Sequence, residues 1–166
     1  ENNLRSLWLI ATTLIVFGVI LGLADTYGKR ERTLDQLTNR HGIMYGLAQA
    51  LALMPGVSRS GATIAMGRFL GYKREAALRY SFLLALPAVF GSGFYQLQGA
   101  ISSEESNVFS LAETAVATGI AFVVGYLVIA WLLKFVSTKS FMPFIIYRIA
   151  LGTLLLILLG TGVISA

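Results

Sequence analysis

Four stretches of this chain are too apolar and too long to belong to a water-soluble globule: 6–24, 80–97, 111–133 and 143–164. An α-helix rises about 1.5 Å per residue, so roughly 20 apolar residues cross a hydrocarbon core about 30 Å thick. Composition agrees. Charged residues make up 13% of the chain, hydrophobic residues 56%, and the mean hydropathy is +0.73. Soluble domains carry about 25% charged residues, so too little polar surface remains here to cover a globule. The expected fold class is an all-α polytopic membrane protein, 166 residues of one membrane domain with spanning helices at those four positions.

Two further apolar pieces are too short to cross. Ile43 to Met54 and Ala62 to Gly71 fall in or below the 10–14 residue class that marks re-entrant segments. Pro55 should stop the first piece near Met54, and Ser60 is a candidate N-cap for the second. The expectation is a re-entrant helical hairpin over 43–71. It can be weighed against charge. With a hairpin, the basic loops 25–41, 72–79 and 134–142 share one side, and loop 98–110, with Glu104, Glu105 and no Lys or Arg, takes the other. With a full crossing the bias blurs, so the positive-inside rule favours the hairpin and puts both chain ends outside the cytoplasm. That placement also accounts for the net charge of +5 without nucleic acid. The chain has no cysteine, which removes disulfides, thiolate catalysis and Cys-ligated metals. It opens on Glu1, shows no cleavable signal peptide, and reads as starting inside a longer protein.

The chemistry-bearing residues gather between the short pieces, in Pro55-Gly56-Val57-Ser58-Arg59-Ser60-Gly61 and Thr63. An arginine inside a membrane costs about 2.5–3.5 kcal/mol on insertion scales and needs an anionic partner. All eight carboxylates (Glu1, Asp25, Glu31, Asp35, Glu75, Glu104, Glu105, Glu113) read as loop or interfacial. Arg59 is therefore expected to meet an anion from outside this segment. A helix starting there aims free N–H groups and a positive dipole end at the loop. Ser58, Ser60 and Thr63 add hydroxyls, and guanidinium matches phosphate oxygens as a planar fork. No lysine follows as in a Walker A loop. Read without a ligand, the same run is a plain turn between packed helices, with Arg59 snorkelling to the surface.

The run from Gly46 to Ile64, GLAQALALMPGVSRSGATI, resembles the second signature of the bacterial undecaprenyl-pyrophosphate phosphatase family, also called bacitracin-resistance proteins. Arg74-Glu75-Ala76-Ala77, Phe82 to Pro87, Phe144 to Arg148 and Arg32 to Thr38 are similar to the same family, so the likeness covers essentially the whole chain. The resemblance implies one half of an inverted-repeat fold, with two re-entrant tips meeting inside the bacterial cytoplasmic (inner) membrane. It implies hydrolysis of undecaprenyl pyrophosphate to the monophosphate and inorganic phosphate on the outer face, recycling the lipid carrier of peptidoglycan synthesis.

On this pattern Arg59 and Ser58 are the catalytic candidates. Ser58, Arg59, Ser60, Gly61 and Thr63 form the pyrophosphate-binding set. The family's Glu-rich signature, with its metal-binding carboxylates and histidine, is absent here. A divalent cation (Mg2+ or Ca2+) would thus be held by the missing N-terminal half of the same protein, and the segment alone should be inactive. A transporter or flippase of an anionic polyprenyl lipid is the competing reading, since broken helices meeting at the midplane are transporter architecture. A non-catalytic scaffold is a third. The sequence leaves a homodimer open.

Several other residues are read conservatively. His41, the only histidine, is expected at the membrane interface beside Arg40, and Arg79 and Arg148 among lipid headgroups. Trp8, Trp131 and the tyrosines are expected as interfacial anchors or in helix packing. Arg68 either snorkels or lines a cavity, and Gln49 has no assigned role.

Overall fold

The computed structural model describes residues 6–102 and 111–164. The described residues are helical throughout, apart from short connections and one isolated bridge between Arg32 and Tyr72. Helix α1 is Leu7–Tyr27 and α2 is Asn39–Ala50, followed by a 3-10 turn at Leu51–Leu53. Then come α3 (Arg59–Phe69), α4 (Arg74–Ser102), α5 (Leu111–Thr138) and α6 (Met142–Gly160). Four of these are long and apolar enough to cross a membrane: Leu7–Tyr27, Arg74–Gln98, Ala112–Thr138 and Met142–Gly160. Helices suit that solvent because every backbone N–H and C=O is satisfied within the segment. Their outward side chains suit it too: Phe122, Tyr126 and Val116 on α5 are largely exposed. The protein is a multi-pass helical membrane protein.

Three of the spanning helices, α1, α4 and α5, run longer than their apolar runs, whereas α6 stops at Gly160, short of the run's end at 164. Helix α4 begins at Arg74, six residues before the apolar stretch at 80, so most of the polar loop expected at 72–79 is helix. It continues unbroken past Pro87 and Gln98 to Ser102. Glu104 and Glu105, expected in the acidic loop, lie outside the described residues.

Helices α1 and α6 pack closely. A Cβ on Gly152 would stand 2.7 Å from Ile15 Cγ1 and 2.8 Å from the Ala11 carbonyl oxygen, so only glycine lets the two backbones approach this far. Helices α2 and α3, about 18 and 16 Å long, form an antiparallel hairpin. The start of α2 and the end of α3 are tied together. His41 Nδ1 pairs with the Tyr72 hydroxyl at 2.8 Å, and Arg32 Nη1 contacts His41 Nε2 at 3.3 Å and donates to the Leu70 carbonyl at 2.6 Å. His41 is thus part of a polar clasp at the hairpin base.

The same end of the bundle holds the main ionic network. Asp25, expected in a loop, is buried in the last turn of α1. Its carboxylate accepts from Arg74 (Nε 2.7 Å, Nη2 2.9 Å), from Arg68 Nε at 3.3 Å and from the Phe141 backbone N–H at 3.3 Å. Arg68 neither snorkels nor lines a cavity. It is fully buried and also donates to the carbonyls of Gly28 (3.0 Å), Lys29 (3.1 Å), Asp25 (3.3 Å) and Tyr72. Burial of that charge is tolerable because every guanidinium nitrogen finds an acceptor and a carboxylate sits beside it. One residue cluster thereby joins the end of α1, the end of α3 and the starts of α4 and α6. The three basic loops meet at one end of the bundle.

Candidate functional site

The tip of the α2–α3 hairpin lies at the opposite end of α3 from this network and is held by two neighbouring helices. The Thr13 hydroxyl on α1 donates to the Pro55 carbonyl at 2.7 Å. From α6, Arg148 Nη2 donates to the carbonyls of Gly56 (2.8 Å) and Val57 (3.0 Å). Gly56 turns with φ +86°, and a Cβ there would overlap Thr13 Oγ1 and come within 2.7 Å of the Ile10 carbonyl oxygen. Gly56→Ala should therefore push the tip off α1 and destabilise the protein by about 1–3 kcal/mol, read as a lowered midpoint of thermal unfolding in detergent.

The chain then enters α3 through Ser58, which sits at φ +66°. For a residue other than glycine this is strained, at a cost of order 1–3 kcal/mol, and strain of this kind gathers at functional sites. The N-cap is Ser58 and not Ser60: its Oγ accepts from the Gly61 N–H at 3.2 Å. Ser60 was expected because it directly precedes the small-residue run, but the left-handed turn at Ser58 starts the helix earlier. The Ser60 hydroxyl lies 3.5 Å from Ser58 Oγ, so the two hydroxyls stand side by side over the first turn.

The five predicted binding residues divide. Ser58, Ser60 and Gly61 line one cavity of about 260 Å³, together with Tyr147 and Arg148. Arg59 is exposed and faces a second, open cavity with Gly46, Gln49 and Ala88. Its side chain makes no hydrogen bond or ion pair among the described residues. Gln49 Oε1, in the same cavity wall, is buried without a hydrogen-bond partner among them. Thr63 stands apart from the other four. It is fully buried, and its hydroxyl bonds the Arg59 and Ser60 carbonyls and the Ser81 hydroxyl on α4. It therefore has no free face toward the tip and braces the first turn from behind.

Arg148 is the residue the sequence reading misplaced. It was expected among headgroups, yet its guanidinium is in the tip. Nη2 bonds two neutral carbonyls, Nη1 lies 3.5 Å from where a Gly61 Cβ would stand, and buried Nε has no partner among the described residues. The signal was present: a cation five residues inside the apolar run 143–164 is costly unless it serves a site.

Arg59 and Arg148 thus flank the first turn of α3 with no carboxylate paired to either among the described residues, and the positive end of the helix points between them. This constellation favours an anion with several oxygens. A divalent cation does not fit it. Such ions take carboxylate and carbonyl oxygens, whereas the tip carbonyls of Pro55, Gly56 and Val57 already accept from Thr13 and Arg148, and the remaining groups are hydroxyls, N–H groups and two guanidiniums. Among the described residues no group of three or more His, Cys, Asp or Glu is placed to hold a metal.

Comparison with known proteins bears on this geometry. The family described as bacitracin resistance protein BacA matches residues 1–154. An undecaprenyl-diphosphatase of Pseudarthrobacter chlorophenolicus is 63% identical over the whole chain, one of Micrococcus luteus is 58% identical, and undecaprenyl-diphosphatase 2 of Agrobacterium fabrum is 61% identical. The chain spans about 60% of the length of these relatives. With the family match running through the hairpin tip and as far as Arg148, the chain belongs to the BacA family of bacitracin resistance proteins.

Proposed function

We propose that the protein containing this chain hydrolyses undecaprenyl pyrophosphate to undecaprenyl phosphate and inorganic phosphate, recycling the lipid carrier for cell-wall synthesis. One observation carries the reading: two guanidinium groups without carboxylate partners, Arg59 and Arg148, flank a helix N-terminus bearing two hydroxyls. Water attacks the terminal phosphorus, the bridging P–O bond breaks, and the electron pair leaves on the oxygen of the lipid monophosphate. Charge grows on the bridging and terminal oxygens along that path. Arg59, exposed at the tip, and Arg148, held by the Gly56 and Val57 carbonyls, stabilise it by placing positive charge where the negative charge develops. Ser58 and Ser60 orient the phosphates through their hydroxyl hydrogens. Gly61 keeps the first turn open to them, and Thr63 supports it.

In this reading 43–71 is a re-entrant hairpin in the bacterial inner membrane. Its base lies among the basic cytoplasmic loops, and its tip is open toward the outer face. The attacking water needs a general base and a divalent cation needs carboxylates. Among the described residues neither stands at the tip, so this reading assigns both to the part of the protein outside this chain, and the chain alone should release no phosphate.

The test uses the full-length protein in detergent with Mg2+ and undecaprenyl pyrophosphate. Release of one inorganic phosphate per lipid is expected. A flippase of an anionic polyprenyl lipid, the reading that a broken helix near the midplane also favours, would move the lipid across a vesicle membrane with no phosphate appearing. That result would replace the present reading.

A further inference from the structure

The cavity beside the tip has two unlike ends. Ser58, Ser60, Gly61 and Arg148 form one. The other is apolar, walled by Ile64, Leu78, Phe82, Leu132 and Phe144 from four different helices. The apolar end lies toward the basic loops: Leu78 is four residues after Arg74, and Leu132 is two before Lys134. An apolar hollow of about 260 Å³ opening directly onto an anion-binding turn matches one kind of molecule, an amphiphile whose hydrocarbon chain begins where its phosphate ends.

We infer that this cavity seats the first isoprenoid units of a polyprenyl pyrophosphate, with the chain running from the tip toward the basic-loop end of the bundle. The inference rests on the pyrophosphate reading and deepens it. Continuity decides the occupant. Ser58, Ser60 and Arg148 are shared between the apolar cavity and the proposed phosphate site, so a head held at the tip directs its own chain into the hollow. A separate acyl chain or a protein segment would have to reach the same space past the phosphates. Recognition would then lie in the part of the lipid nearest the reacting bond. The distal chain is left to the bilayer.

The test separates head from chain. In full-length protein with Mg2+, farnesyl pyrophosphate serves as substrate, and inorganic pyrophosphate, the head alone, as competitive inhibitor. Leu132→Trp fills the hollow from α5, and Phe144→Ala removes part of its aromatic wall. Leu132→Trp is expected to raise KM for farnesyl pyrophosphate by about tenfold or more, since each excluded methylene counts, while Ki for pyrophosphate stays unchanged. Phe144→Ala should raise the same KM severalfold, again with Ki unchanged. If KM and Ki rise together, or neither moves, the cavity does not hold the chain and the inference falls. Should Leu132→Trp not fold, Phe144→Ala decides alone by the same criterion. A wild-type protein that binds pyrophosphate yet releases no phosphate from farnesyl pyrophosphate would overturn the phosphatase reading, and this inference with it.

Discussion

Replacing Arg59 by alanine in the full-length protein should lower kcat/KM for phosphate release about 10²–10³-fold, the scale of losing one donor to developing charge, and should leave the thermal midpoint unchanged. The two halves of that expectation have one origin. The Arg59 side chain is exposed and bonded to nothing among the described residues, so its removal leaves no orphaned partner in the fold. Arg59→Lys should recover part of the loss, because it keeps the charge and gives up the fork. Arg148→Ala behaves differently. It should lower kcat/KM as well, but it also strips the carbonyls of Gly56 and Val57 of their donor, at about 1–3 kcal/mol. A thermal midpoint that falls for Arg148→Ala and holds for Arg59→Ala, with activity lost in both, is the signature expected. Full activity in Arg59→Ala would remove the tip from the chemistry.

The largest stability effect is expected at the other end of the hairpin. Arg68→Ala should destabilise the protein by about 3–5 kcal/mol, the usual result of breaking a buried ion pair by removing one partner. Four carbonyls lose their donor at once, those of Asp25, Gly28, Lys29 and Tyr72, and Asp25 keeps only Arg74 as a counter-charge. Asp25→Ala should be comparably severe, because it leaves two guanidiniums facing each other in a buried site. Denaturant unfolding in a fixed detergent reads both. Phosphate release per folded molecule should stay near wild type, since the network makes no contact with the tip. A loss below about 1 kcal/mol in Arg68→Ala would mean that water reaches the site and screens it.

What could be read from the sequence, and what could not, follows from the range of the forces involved. Helices α1, α5 and α6 announce themselves as long apolar runs, broken only by Glu113 and Arg148, because the bilayer acts on each residue independently of the rest of the chain. The start of α4 was hidden. Arg74, Glu75 and Arg79 are polar, and a hydropathy reading ends where a helix continues as an amphipathic turn. The tip motif was legible because glycine, proline and N-cap residues act within a few positions of one another. Its partners were not. Arg148 meets the Gly56 and Val57 carbonyls across about 90 residues, and Asp25 meets Arg68 across 43. Depth within an apolar run can flag such a charge, as it does for Arg148, but nothing local names the partner that holds it. The same limit separated Thr63 from Ser58 and Ser60: the spacing puts all three near the tip, but only the packing of α3 on α4 shows that Thr63 faces Ser81.

The most direct test of the central claim, that the hairpin tip binds pyrophosphate, is equilibrium binding without turnover. A methylene-bridged farnesyl diphosphonate, which cannot be hydrolysed, is titrated into full-length wild-type, Arg59→Ala and Arg68→Ala proteins in the same detergent. The dissociation constant should rise about tenfold or more in Arg59→Ala, as expected for a lost charge-assisted contact, and remain at the wild-type value in folded Arg68→Ala. Equal affinity in wild type and Arg59→Ala would contradict the account and place the pyrophosphate elsewhere in the protein.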